Sequence, residues 1–167
     1  MRIFYALFLF TLFACGDPQP ATPTYAEIEA HLLEMNQAKS QEESDSIQHF
    51  IAKKKWPMTH NGGGLYYEIT EKGRGIPIEN GMSVAITFKV YLLDGTLCYE
   101  TLAADPVRFK VGKDHVESGL HQLMPLLHKG DRVRVVLPSV LAFGFTGDKK
   151  KIPGDTPLHY EIAVLND

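Results

Sequence analysis

Two thiols, seven histidines and two glycine clusters are the residues here whose type and spacing could do chemistry. Cys15 follows Leu12-Phe13-Ala14 at the end of an almost wholly apolar run, Ile3 to Phe13, behind the single cation Arg2. A positive start, an apolar stretch of this length and a small residue before cysteine resemble the bacterial lipobox, in which the thiol is diacylated and the chain is cut before it. The run is too short to span a bilayer comfortably, whereas two acyl chains anchor stably. The pattern predicts a signal peptide over residues 1–14 and a lipidated Cys15; an ordinary signal peptide or a short membrane anchor is the alternative. Each of these places the rest of the chain outside the cytoplasmic membrane. With Cys15 acylated, Cys98 is the only remaining thiol and has no intrachain disulfide partner. It reads either as a small buried strand residue or as a redox-sensitive thiol.

The other candidates lack their partners. Gly62-Gly63-Gly64 is not followed by Lys-Ser/Thr, so it makes no phosphate loop. Gly73-Arg74-Gly75 has Ile78 where a dinucleotide fingerprint needs its third glycine. His115 and His121 lie six residues apart without a third ligand type nearby, and no HExxH occurs, so they read as isolated surface histidines and no metal is expected. Ser139 sits in Pro138-Ser139-Val140 rather than in a G-x-S-x-G elbow.

The elements that must position any site follow from composition and periodicity. The chain has 167 residues, 44% hydrophobic and 22% charged, which is enough for one ordinary domain with its own core plus extensions. A net charge of −3 argues against a general nucleic-acid binder. Gly16 to Pro23 (GDPQPATP) is a proline-rich tether. Thr24 to about Lys55 is helical: Thr24 and Glu27 form a capping box, and Ile28, Leu32 and Met35 recur at helical spacing. The polar stretch Gln37 to Ser46 is expected to break it into two helices, the second with the stripe Ile47, Phe50 and Ile51. Lys53-Lys54-Lys55 crowd its end, where cations complement the helix dipole, and Trp56-Pro57 stops it.

From Leu65 the period changes to that of strands. Runs at 65–69, 83–93, 96–101, 107–112, 131–137 and 157–165 read as β, with a turn at Asp94-Gly95. Ser118 to about Leu127 reads as a short helix capped by Ser118, with Pro125 late in it or distorting it. The sum is α+β: a mostly antiparallel sheet with one short helix, preceded by a helical extension. The boundaries expected are 1–14 signal, 15–23 tether, 24–56 helical extension and 57–167 main domain.

Between Gly81 and Leu165 the order of motifs resembles FKBP-type peptidyl-prolyl cis-trans isomerases. It runs Tyr91-Leu92-Leu93-Asp94-Gly95-Thr96, Phe109-Lys110-Val111-Gly112, Val116-Glu117-Ser118-Gly119-Leu120, Lys129-Gly130-Asp131, Leu137-Pro138-Ser139, Leu141-Ala142-Phe143-Gly144, Ile152-Pro153, then Leu158 with Tyr160. Upstream, Trp56-Pro57-Met58 and Gly64-Leu65-Tyr66-Tyr67-Glu68-Ile69 resemble the lead-in of gliding-motility-type lipoprotein FKBPs. The resemblance implies a half-barrel: a twisted antiparallel sheet wrapped round one short helix.

It also implies a chemistry. An X-Pro imide is planar by resonance, with a rotational barrier of about 18–20 kcal/mol. The twisted transition state loses that resonance and much carbonyl dipole, so an apolar, water-excluding pocket favours it; no cofactor is needed. Carried over by motif, Phe88, Tyr99, Val116, Glu117, Leu120, Phe143, Ile152 and Tyr160 form the catalytic pocket, with Val107 and Cys98 in substrate binding. Within it Leu120 takes the floor, usually Trp, and the Val116–Glu117 segment offers a backbone N–H to a substrate carbonyl. Phe88, Leu120 and Tyr160 are equally readable as plain core.

The departures are Cys98-Tyr99 in place of the family's Phe-Asp pair, which removes the pocket carboxylate, and Phe143 in place of a Tyr whose hydroxyl meets the substrate. One lost hydrogen bond of this kind costs about 1–3 kcal/mol, roughly ten- to hundredfold in rate. Tyr99 is the candidate to donate instead. Lys149-Lys150-Lys151 overhang the pocket in the family, selecting acidic partners or simply solvated. Two functions follow: an isomerase helping exported proteins fold, with proline-containing polypeptides as substrates and the membrane as partner through Cys15, facing the periplasm; or an FKBP-like binding module for proline-containing segments of an envelope assembly.

Overall fold

The structure, a computed structural model, describes residues 22–166; the signal, Cys15 and most of the tether lie outside the described residues. The described chain falls into two units that divide after Asn36. The helix α1, Tyr25–Lys54, begins in the first. There the capping box forms as expected: the Thr24 N–H donates to Glu27 Oε2 at 2.7 Å and the Glu27 N–H donates to Thr24 Oγ1 at 3.3 Å. Ile28, Leu32 and Met35 are exposed.

The expected break at Gln37 to Ser46 does not occur; α1 is one helix. No Gly or Pro interrupts the stretch, and its polar side chains satisfy each other at helical spacing: Gln41 donates to Asp45 Oδ1 at 2.8 Å and Gln48 to Ser44 Oγ at 3.2 Å. The helix ends where Lys55 enters the left-handed region (φ 57°) and the Trp56 N–H reaches back to the Ile51 carbonyl.

The second unit, Gln37–Asp167, contains the sheet. Its strands are β1 Thr59–His60, β2 Tyr66–Glu71, β3 Ser83–Leu92, β4 Leu97–Glu100, β5 Val107–Lys110, β6 Arg132–Leu137 and β7 Leu158–Val164. All pairings are antiparallel, in the order β1-β2-β6-β7-β3-β4, with β5 also paired to β3. The strand period of two sorts the side chains. Ile86, Phe88 and Val90 of β3 face the same way as their partners Val164, Ile162 and Tyr160 of β7, and as Val133 and Val135 of β6. This inner face holds the main core, closed by Leu120, Leu123 and Met124.

The outer face is divided. Val136, with Ile47 and Phe50 of α1, forms a second small core flanked by Trp56, Met58, Tyr66 and Leu93. His159 is buried there, its ring 4.7 Å from Trp56, 5.5 Å from Tyr91 and 5.9 Å from Phe50. Its Nε2 has no hydrogen-bond partner among the described residues. Burial first, then the Arg134 and Lys54 cations, push its pKa down to about 4.

The short helix α2, Ser118–Leu123, runs directly into a 3₁₀ turn at Met124–Leu126, because Pro125 cannot continue an α-helical hydrogen-bond ladder. Ser118 is not its cap: Glu117 takes that position in an extended conformation, and the Ser118 hydroxyl reaches the Leu141 carbonyl at 3.5 Å instead. Gly119 is required here, since a Cβ would lie 2.6 Å from a Leu137 methyl.

Candidate functional site

The strand alternation and one β-bulge bring the site together. β4 pairs with β3 through Val90↔Tyr99 and Tyr91↔Leu97, so Cys98 is an extra residue in the ladder. A bulge turns a side chain away from strict alternation. As a result Cys98 and Tyr99, adjacent in sequence, both join the inner core, Cys98 fully buried and Tyr99 half-buried. Burial raises the Cys98 thiol pKa, which disfavours the reactive thiolate and fits the buried-strand reading.

Nine of the ten positions expected on the inner face meet in a single apolar cluster. Leu120, Ile152, Tyr160 and Cys98 are buried and make its floor. Phe88, Tyr99, Val107, Val116 and Phe143 pack against them while remaining partly exposed. The Phe88 and Tyr160 rings are 5.9 Å apart.

Glu117, the tenth, is tied to the floor by polarity. The buried Tyr160 hydroxyl donates to Glu117 Oε1 at 3.2 Å. Burial, then the Glu117 charge, push the Tyr160 pKa far up, so the phenol keeps its proton. The Val116 N–H is committed to the Asp114 carbonyl at 3.1 Å, but the Glu117 N–H has no backbone acceptor among the described residues. It lies at the cap of α2, where the helix dipole favours an acceptor oxygen. His121 steadies the preceding turn: its Nδ1 accepts the Gly112 N–H at 2.8 Å and its Nε2 donates to the Asp114 carbonyl at 2.9 Å.

One expectation about the rim is corrected. The site does not lack a carboxylate: Asp148 supplies one from the loop opposite β4. Its Oδ1 accepts the N–H groups of Lys150, Lys151 and Ile152 at 2.8, 3.0 and 2.8 Å. Its Oδ2 accepts a hydrogen bond from the Tyr99 hydroxyl. That bond, followed by the backbone donors, lowers the Asp148 pKa to about 2. The same bond raises the Tyr99 pKa. In this structure the Tyr99 hydroxyl is thus engaged by Asp148. Asp148 stands 49 residues from Tyr99; only its place in a Gly-Asp turn hinted at a capping role.

Of the three overhanging lysines, Lys151 is turned inward. Its Nζ donates to the Cys98 carbonyl at 2.8 Å and lies 4.9 Å over the Tyr99 ring. The loop is shaped by Gly147 (φ 62°), where a Cβ would lie 2.2 Å from the Ile152 carbonyl oxygen.

A separate depression of about 280 Å³ opens on the outer face, beside Lys89, Arg132, Arg134 and Glu161. Its cations are already paired, Arg132 with Glu71 at 3.1 Å, Arg134 with Glu68 at 3.4 Å and Lys89 with Glu100 at 3.7 Å. A polar, charged lining does not suit an imide that loses dipole on twisting.

A profile described as FKBP-type peptidyl-prolyl cis-trans isomerase matches residues 75–165, more than half of the chain. The bovine (Bos taurus) peptidyl-prolyl cis-trans isomerase FKBP11 is 32% identical over 89 residues, 53% of this chain and 44% of that protein. A probable FKBP-type isomerase of Haemophilus influenzae is 28% identical over 151 residues, 86% of this chain and 61% of that protein. The crystal structure of FkpA from Escherichia coli shares the fold, with a TM-score of 0.64 at 23% identity over 87% of this chain and 73% of the other. The chain thus spans about half the length of the curated relatives it matches. The matched segment carries all ten positions of the inner site, and on that match the chain belongs to the FKBP-type peptidyl-prolyl cis-trans isomerase family.

Proposed function

We propose that this chain is a peptidyl-prolyl cis-trans isomerase that assists the folding of exported proteins, tethered to the cell-envelope membrane by a lipidated Cys15 and facing the periplasm. The observation that carries the isomerase reading is the convergence of Phe88, Val107, Phe143 and Tyr99 over a buried floor of Leu120, Ile152 and Tyr160. A proline ring seated there exchanges water for hydrocarbon. Its imide then twists without the solvation that favours the planar, more dipolar ground state. The Glu117 N–H, the unclaimed donor at the edge, holds the carbonyl next to the proline.

The envelope location rests on the apolar run and Leu12-Phe13-Ala14-Cys15, and the upstream resemblance to gliding-motility-type lipoproteins agrees with it. The boundaries 1–14, 15–23, 24–56 and 57–167 belong to the same reading. Cys15→Ala moves the chain from the membrane fraction to the soluble fraction if Cys15 is the anchor; an unchanged distribution contradicts it.

The isomerase reading is tested by Leu120→Ala and Phe143→Ala in the full chain. Both lower X-Pro isomerisation while the circular dichroism spectrum stays folded. Undiminished turnover in both would place the chemistry elsewhere. The second reading, a binding module without useful turnover, is favoured by two particulars: Phe143 has no hydroxyl, and the Tyr99 hydroxyl is engaged by Asp148. It predicts that proline peptides bind the folded chain and leave with their isomerisation rate unchanged.

A further inference from the structure

The segment 138–155 carries Phe143 and Ile152 and has little regular structure to hold it. It contains two 3₁₀ turns, Ser139–Leu141 and Gly144–Thr146, and residues in the left-handed region at Gly144, Gly147, Lys149 and Asp155. Lys149 (φ 60°) and Asp155 (φ 53°) adopt that conformation with a side chain, which is strained for L-residues. Such backbone persists when its surroundings over-determine it.

α1 supplies that determination at both ends of the segment. At the start, Glu43 Oε1 accepts the Ser139 N–H at 2.6 Å and its Oε2 accepts the Ser139 hydroxyl at 3.1 Å. Ser139 is buried, so this carboxylate satisfies a donor that water does not reach. At the end, Lys39 Nζ donates to Asp155 Oδ2 at 2.5 Å and lies 5.6 Å over the Phe145 ring. The Asp155 N–H in turn closes the segment on the Gly144 carbonyl at 2.9 Å. Lys39, Glu43, Ile47 and Phe50 recur at helical spacing and so share one face of α1. Ile47 and Phe50 seat that face on Val136, and Lys39 and Glu43 reach past it to the segment.

We propose that Lys39 and Glu43 are positioning residues for the site, holding segment 138–155 so that Phe143 stays at its rim and Ile152 in its floor. Neither touches substrate. They act through Ser139 and Asp155, and the proposal rests on the isomerase reading above. It makes the helical extension a working part of the pocket rather than only a spacer from the membrane.

The test uses the full chain in detergent with Lys39→Ala, Glu43→Ala and the conservative Glu43→Gln, whose amide oxygen still accepts the Ser139 N–H. Isomerisation of a proline-peptide series is followed by exchange NMR, with the thermal midpoint recorded for each variant. The expected result is a fall in kcat/KM of roughly tenfold in Glu43→Ala, seen mainly in KM, and a smaller fall in Lys39→Ala. Glu43→Gln restores most of it, and the circular dichroism stays native. Wild-type kcat/KM in both alanine variants overturns the proposal, as does a loss explained wholly by the unfolded fraction. If the parent chain shows no turnover, the isomerase reading has failed separately. Peptide Kd and amide exchange at Ser139 then decide. Weaker binding together with faster exchange in Glu43→Ala supports the positioning role, and an unchanged value of either overturns it.

Discussion

The Tyr160 hydroxyl on β7 donates to the Glu117 carboxylate at the cap of α2, joining the sheet to the helix across the floor of the site. The bond orients the residue whose backbone N–H faces the substrate carbonyl in our account. Tyr160→Phe removes it and leaves a partly buried carboxylate unpartnered, a loss of about 1–2 kcal/mol in stability. The expected kinetic effect is a several-fold fall in kcat/KM with the apolar floor intact. Thermal unfolding and exchange NMR together check it; a variant as active and as stable as the parent contradicts it.

Asp148 orders its loop through three backbone N–H groups and the Tyr99 hydroxyl. Asp148→Ala is therefore expected to raise KM more than Tyr99→Phe, which deletes one of those four bonds. A Tyr99→Phe variant that loses kcat with KM unchanged would instead mean that the hydroxyl serves the substrate directly. The carboxylate's pKa lies below its unfolded value. Its contribution to loop order is complete above the ordinary Asp range and is lost only as pH falls toward about 2. KM then stays flat between pH 5 and 8, apart from titrations elsewhere. A rise in KM across that range, abolished in Asp148→Ala, is the contrary result.

Phe143 packs half-exposed on the cluster without a polar atom at its tip. Phe143→Tyr adds a hydroxyl at the solvent side of the site. If a donor to the twisting imide is what the site lacks, kcat/KM rises by up to about tenfold. No gain, with the fold unchanged, would mean that the apolar enclosure alone sets the rate.

His159 sits under α1 with Trp56, Phe50 and Tyr91 around its ring and the cations of Lys54 and Arg134 facing it. Its folded pKa of about 4 is below the unfolded value. The unfolded chain binds this proton first, so stability declines as pH falls from about 6.5 to about 4 and is level above that range. The full loss is on the order of 3 kcal/mol. Urea unfolding of His159→Phe should show that decline flattened, with α1 still docked. An undiminished acid dependence would assign it to other groups.

Much of this was legible in the sequence because periodicity and turn residues are local. The strand runs at 83–93 and 131–137 and the Thr24–Glu27 capping box appear where the pattern puts them. The failures were long-range. The polar stretch around Glu43 looked like a helix break because its partner, Ser139, is 96 residues away. The carboxylate seemed absent at Tyr99 because it comes from Asp148, on another loop. Ser118 carried a capping side chain, but the helix starts one residue earlier, with Glu117 at the cap, and the Ser118 hydroxyl meets the Leu141 carbonyl, 23 residues away. Cys98 and Tyr99 share the inner side only because a bulge suspends the alternation on which strand reading depends.

The most direct test of the central claim is X-Pro isomerisation by the full chain, read by exchange NMR on peptides that vary the residue before proline. The account predicts catalysed exchange, fastest with apolar preceding residues, that falls in Leu120→Ala while the chain stays folded. Peptides that bind near Phe88 and Phe143, yet exchange no faster than they do alone, would contradict it.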